Sequence, residues 1–478
     1  MTQRDERLGQ SEAPLARAIL RQVEIKRGGA AAFHFPGHKG RALSREMQAI
    51  FADSLRCDLT EIPGLDDLHS PSGPISKAQT LAALAFGATH SFFLVGGASA
   101  GVLASLGALP RGQKIAICRN AHRSAVSALR VSGGTPVWVP PCREPDMFVS
   151  LPCGLDALGR TGAEIAFLVS PTYEGLLADM KSPCSVTLIV DEAHGSHFYF
   201  SREMPGGALC YDVSAVIHGT HKTLGSLTGS GLLHLKGGAI DYQRTKQMLS
   251  TIQTSSPSYL MMASLDLARK EMATRGEYYI GTALEEARQA RERLNRSGIN
   301  VFYPACVYDE LKLVVPSSQF RMSGQTLEKR LRKHGVWIEY AGLLHVVAVF
   351  SVGDEPGCHE KLTDALERIA TSEIPHSADA FAAATRAGQL LDLCALPKQV
   401  MPPREAWQSS SRSVPINESV GHIAAESLFI YPPGTALIVE GEEIPVELPE
   451  IIKELKRAGV RFHGTEDPYV GTIRVVTS

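Results

Sequence analysis

Short apolar runs recur along the first half of the chain, each followed by a turn of small or polar residues and then by a stretch with helical spacing. Ser91–Val95, Lys114–Cys118, Pro136–Val139, Ile165–Val169, Leu188–Val190, Ala215–Ile217 and Leu232–Leu235 read as strands. Runs that do not alternate are buried on both faces, and helices between them imply a mostly parallel α/β sheet covered on both sides. The expected helices include Pro14–Arg27, where Leu15, Ile19 and Val23 share one face, and Ile75–Phe86, closed by Gly87. Others are Val102–Leu106, opened by Gly96–Gly101, and one running through Leu129.

Beyond residue 240 the pattern changes. Helices are expected over Leu260–Ala273 and Ala283–Arg296, then strands at Leu311–Val315, Val336–Glu339 and Leu344–Phe350, with helices Gln325–Lys333 and His359–Thr371. From His376 a further helix, Ala380–Leu391, leads through Pro397, Pro402 and Pro403 into a lobe with turns at Tyr431–Gly434 and Glu440–Glu442. The division this suggests is an N-terminal arm over 1–70, a large domain over 71–298, a small α+β domain over 299–375 and a C-terminal α+β domain over 376–478.

Composition narrows the function classes. A formal charge of -2, with 21% charged residues, gives no global basic field for nucleic acid or an anionic membrane. The N-terminus lacks the layout of a signal peptide and no run is long and apolar enough to span a bilayer, so a cytoplasmic location is expected. Nine scattered cysteines without a CxxC pair read as reduced thiols, neither a disulfide framework nor a zinc site. The partners expected are small molecules or like subunits.

In an α/β sheet ligands bind beyond the carboxyl ends of the strands. His122, Tyr173, Asp191, His194 and Lys222 all follow strands closely and would share that edge. Asp191-Glu192-Ala193-His194 spells the magnesium-holding box of ATP-dependent helicases, but the required phosphate loop is absent: Val102 and Leu103 stand where its Lys and Ser/Thr belong. His34, His38, His194 and His197 raise a metallohydrolase, yet no His-Glu-x-x-His helix accompanies them, and no metal is expected.

Pyridoxal phosphate needs a lysine for covalent attachment, a carboxylate at its pyridine nitrogen, a phosphate cup and a flat group over the ring. Lys222, Asp191, the turn Gly97-Ala98-Ser99 and His122 supply these types, and small Ala193 leaves room at the other ring face. Two irregular loops, Phe33–Gly40 and Asp58–Gly73, are open between binding and plain connection.

The chain resembles the Orn/Lys/Arg decarboxylase family of fold-type I (aspartate-aminotransferase-like) pyridoxal-phosphate enzymes, in a shorter form without the N-terminal wing domain. The resemblance is carried by Phe35-Pro36-Gly37-His38-Lys39-Gly40, Gly64-Leu65-Asp66-Asp67-Leu68-His69, Asp191–Gly195, His221-Lys222-Thr223, Gln253–Tyr259 and Tyr431–Gly434. It implies that Lys222 carries the cofactor, Asp191 pairs with the ring nitrogen, His122 stacks on the ring and His221 lies beside it. Thr254 or Ser255 would approach the phosphate of a neighbouring subunit in a homodimer or an assembly of dimers.

The implied reaction is decarboxylation of lysine, arginine or ornithine to the corresponding amine, the entry to polyamine biosynthesis. Another pyridoxal-phosphate reaction such as transamination, or an inactive binding relative, stands as the alternative. The substrate's distal cation needs an anionic partner, and Glu61, Asp66, Asp67 and Glu442 are the candidates. Three positions depart from the family pattern: Gly96 replaces a common Asn, Gly219 the usual Ser, and Gly229 a common Gln. Loss of the serine hydroxyl would remove a phosphate donor worth ~1.5–3 kcal/mol.

Overall fold

A computed structural model describes residues 9–181, 186–372, 378–431 and 434–477. Cys184, His376, Pro432 and Pro433, to which the sequence assigned a thiol, a domain start and a turn, lie outside the described residues. The chain forms two compact units, Met1–Ala108 with Ile189–Gly281, and Leu109–Leu188 with Thr282–Ser478.

Seven strands match the apolar runs: β1 (His90–Leu94), β2 (Lys114–Cys118), β3 (Thr135–Val139), β4 (Ile165–Val169), β5 (Thr187–Asp191), β6 (Ala215–His218) and β7 (Gly231–Leu235). In the first unit the order is β1-β7-β6-β5, with β5 and β6 parallel and β7 antiparallel to both neighbours. In the second unit β4-β2-β3 are all parallel. Every residue of β6 and β7 is buried, which explains why these runs are apolar without alternation.

The N-terminal helix Pro14–Arg27 buries Leu15, Ala16, Ile19 and Val23, the face read from the sequence. Asp266 holds its first turn by accepting from the backbone N–H of Leu15 at 2.9 Å, and Arg269 binds Asp266 at 2.7 Å. Helix Gly97–Gly107 begins at Gly97, which takes a positive φ of 69°, rather than at Val102.

Two expectations fail. The helices over Leu260–Ala273 and Ala283–Arg296 are one helix of 38 residues, Tyr259–Arg296. Between them lies no proline, and Gly276 lets the helix approach Phe200, where an added Cβ would come within 2.7 Å of the Phe200 Cβ; the usual helical cost of glycine, ~1 kcal/mol, is offset by that packing. The strand expected at Val336–Glu339 is instead the short Tyr340–Ala341, which pairs with His345–Val349; the latter also pairs with Lys312–Pro316. The C-terminal lobe packs two small antiparallel sheets around Leu428, Ile438, Ile444, Ile452, Ile473 and Val475.

Candidate active site

In the first unit β5 and β6 run parallel, so their carboxyl ends lie side by side. β5 ends at Asp191, which is buried and accepts a hydrogen bond from the Ala193 N–H at 3.2 Å. Burial pushes the Asp191 carboxyl above its ordinary range, while the nearby Lys222 cation and the Ala193 N–H pull it down. β6 ends at His218, and after Gly219 a short turn of helix, Thr220–Thr223, carries His221 and Lys222. The Lys222 amine meets Nε2 of buried His194 at 3.0 Å. His221 is held through Nδ1 by the Ser230 carbonyl at 2.8 Å. Ser226 hydrogen-bonds both Thr220 and Ser230, at 2.9 and 2.7 Å, and so braces the lysine turn from behind.

Beside these ends, β1 turns into helix Gly97–Gly107. The Gly97 N–H is already committed to the Gly229 carbonyl at 2.7 Å, so Gly97 is withdrawn as a phosphate donor; Ala98 is half-buried and Ser99 exposed at the same turn. Gln253 accepts from the Val95 N–H at 2.7 Å, which brings the exposed Thr254 and Ser255 close to this mouth. His69 reaches the Thr254 carbonyl at 2.9 Å, docking the Asp58–Gly73 loop there.

Gly219 is tightly packed. A Cβ there would lie 3.0 Å from the Ala193 carbonyl oxygen and 3.3 Å from Cδ of Lys222. The Gly219 N–H also donates to that same Ala193 carbonyl, at 3.2 Å.

The second unit holds His122 and Tyr173. His122 caps helix Arg123–Ser132, its Nδ1 accepting from the Ser124 N–H at 3.2 Å, and it bridges to Thr435. The Tyr173 hydroxyl donates to Glu339 at 2.7 Å.

Two of the four acids proposed for substrate binding have other work. Asp66 is buried and accepts from the backbone N–H groups of Ser72, Gly73 and Ile75 at 2.9, 2.7 and 3.1 Å, capping helix Pro74–Phe86. Glu442 is buried in a two-pronged pair with Arg119, at 2.6 and 2.7 Å. Neither is available to a ligand cation. Glu61 and Asp67 are exposed, although Asp67 also accepts from the His69 N–H at 2.8 Å. Of the histidines raised as metal ligands, His38 pairs with Asp58 at 3.1 Å and His194 with Lys222.

Sequence reasoning missed Glu192, Tyr199, His218 and His234. All four are linked by hydrogen bonds in the first unit, Glu192, His218 and His234 fully buried and Tyr199 half-buried. The available signal was a lone histidine inside the apolar run Leu232-Leu233-His234-Leu235, a residue with no reason to be there unless it is paired.

Comparison with known proteins gives a consistent picture. The family model for the Orn/Lys/Arg decarboxylase major domain matches residues 13–314, and that for the family's C-terminal domain matches 389–472. An arginine decarboxylase of Bacillus subtilis is 34% identical over 492 residues, covering 98% of this chain and 99% of that protein. One from Halalkalibacterium halodurans is 33% identical over 471 residues, covering 93% of this chain and 94% of that protein. The Francisella novicida lysine decarboxylase LdcF superposes with a TM-score of 0.85 at 19% identity, covering 97% of this chain and 81% of that one, a likeness of fold.

Proposed function

The chain belongs to the Orn/Lys/Arg decarboxylase family, and from that premise we propose that it removes the α-carboxylate of a basic amino acid with pyridoxal phosphate as cofactor. It is an amino-acid decarboxylase with the fold of the family. The observation that carries the cofactor reading is the placement of a buried carboxylate, Asp191, at the end of one strand and of an amine, Lys222, in the turn just past the end of the parallel strand beside it. A buried carboxylate whose burial disfavours its charge suits a protonated ring nitrogen, and the exposed turn at Ser99 suits a phosphate at a helix N-terminus.

When bound, pyridoxal phosphate supplies an electron-accepting ring that takes up the electron pair left at Cα as CO₂ departs. Asp191 holds a proton at the ring nitrogen. Lys222 provides the attachment point, and its amine is held 3.0 Å from Nε2 of His194, which orients it. Ala98, Ser99, and from a neighbouring subunit Thr254 or Ser255, are assigned to the phosphate. The assignments of His122 to the ring face and of His221 and Ala193 to its surroundings rest on the family resemblance.

Arginine is the first substrate to try, since relatives at 34% and 33% identity are named arginine decarboxylases. Glu61 and Asp67 remain as carboxylates for its guanidinium. A homodimer is proposed because Phe33, Phe35, Leu43 and Ile50 expose large apolar side chains within one stretch of the N-terminal arm. No helix among the described residues is long and apolar enough to cross a membrane. The cytoplasmic location proposed is the one expected from the sequence. The fourfold domain division is retained in the same spirit. The test is incubation of the purified, cofactor-loaded protein with arginine, lysine and ornithine in turn, with identification of CO₂ and amine. Turnover without CO₂ would favour transamination, and neither chromophore nor turnover would favour a binding relative.

A further inference from the structure

Beneath the strand ends of the first unit runs a chain of buried polar side chains that the proposed reaction does not touch. Ser91 Oγ lies 2.7 Å from Nδ1 of His234, Nε2 of His234 3.0 Å from Nδ1 of His218, and Nε2 of His218 2.8 Å from Glu192. Glu192 also accepts from the Tyr199 hydroxyl at 2.5 Å and the Ala208 N–H at 2.7 Å. His218 and His234 are 0% exposed and Glu192 1%. Two placements of protons satisfy the whole chain: with Glu192 ionised, the serine hydroxyl donates to His234, His234 to His218 and His218 to the carboxylate, and with Glu192 protonated the order runs in reverse.

The seat for this chain is built into the fold. A Cβ at Gly195 would fall 2.7 Å from Cγ of Glu192, and one at Gly207 would fall 2.4 Å from the Tyr199 hydroxyl oxygen. Phe86 covers both imidazoles, at 5.0 and 4.7 Å between ring centroids. Side chains alternate along a strand, so Glu192 points away from the face that Asp191 uses, and His218 away from the face of Ile217. Ile217, in register with Asp191, packs against Gly101 of the Gly97–Gly107 helix on that other side. Glu192 thus immediately follows Asp191, and His218 stands four residues before Lys222.

We propose that Glu192 and His218 are positioning residues, whose hydrogen bond fixes the strand end bearing Asp191 against the turn bearing Lys222 and so sets the spacing of the two groups that grip the cofactor. The inference rests on the proposed pyridoxal-phosphate reading. What matters is reach, so an amide of equal length serves in place of the carboxylate, whereas a carboxylate one methylene shorter does not.

The test uses the full-length protein and two variants, Glu192→Gln and Glu192→Asp, with the dissociation constant for pyridoxal phosphate read by titrating its visible band and the pH profile of that band recorded alongside kcat and KM. Glu192→Gln is expected within about threefold of wild type, and Glu192→Asp at least tenfold weaker with a displaced pH profile. Equal behaviour of the two variants, or a greater loss in the Gln form, overturns the proposal. Should the Asp form fail to fold, His218→Gln, which reaches the Nε2 position, against His218→Asn, which does not, decides the matter with the same expectation. Failure of the wild-type protein to bind the cofactor would instead strike at the proposed function.

Discussion

The amine of Lys222 lies 3.0 Å from Nε2 of His194, although 28 residues separate them in the chain. The contact ties the lysine turn after β6 to the Asp191–His194 segment after β5. Under the proposed reading, a ring nitrogen at Asp191 and an attachment point at Lys222 are held by one local framework. Replacing Asp191 by Asn keeps the shape and removes the charge. The expected outcome is retention of fold and a fall in kcat of roughly 10²-fold or more, by loss of electrostatic stabilisation in a dry site. Steady-state kinetics with arginine and circular dichroism check it.

Glu442 gives the contrast. Its pair with Arg119 is almost fully buried, and Trp138 stacks over the same guanidinium at 4.6 Å. Glu442→Ala leaves that cation without its counter-charge, and the expected cost is ~3–5 kcal/mol of stability. Urea denaturation measures it. A variant of normal stability with a raised KM would return Glu442 to the substrate site.

Much of this was legible beforehand. Strands β2, β4, β5, β6 and β7 announced themselves because nearly all their residues are buried and mostly apolar. Lys222 and Asp191 stood out because their residue types are costly at strand ends without a purpose. The role of Glu442 was not legible, because its partner Arg119 lies far away in sequence and nothing in either neighbourhood marks the pairing. That Tyr259–Arg296 is one helix was not legible, because the approach of Gly276 to Phe200 that accounts for the glycine is a contact made 76 residues away in the chain. Asp66 looked like a ligand for a cation and is instead a helix cap, a use that an acidic loop before Gly73-Pro74 also allows.

Gly219 provides a packing test. An added methyl would press on the Ala193 carbonyl at 3.0 Å. Gly219→Ala is expected to lower stability by ~1–3 kcal/mol through overpacking. Thermal and denaturant unfolding check this, and an unchanged midpoint would mean that the Ala193 backbone yields freely.

The Glu192 chain predicts a pH dependence of stability. Burial pushes Glu192 from 4.5 up to about 8, so its contribution is full below pH 4.5 and lost as pH rises through about 8. Burial pushes His218 from 6.5 down to about 3 and His234 also downward, so their contributions are present above pH 6.5 and lost as pH falls. Among the described residues, Tyr199 and His197 face Glu192, His197 also faces His218, and Cys210 faces Tyr199. From these groups the melting temperature is expected to peak near pH 6.5 and to decline toward pH 8, and Glu192→Gln to flatten the alkaline decline. A variant that keeps the decline unaltered assigns it to other groups.

The most direct test of the central claim is release of labelled CO₂ from arginine labelled at its carboxyl carbon, by wild-type protein and by Lys222→Ala, each supplied with pyridoxal phosphate. The account predicts release in step with amine by the wild type, and loss of both the visible band and at least about 10³-fold of the rate in the variant. Equal release by the two proteins, or a visible band that survives in Lys222→Ala, would contradict it.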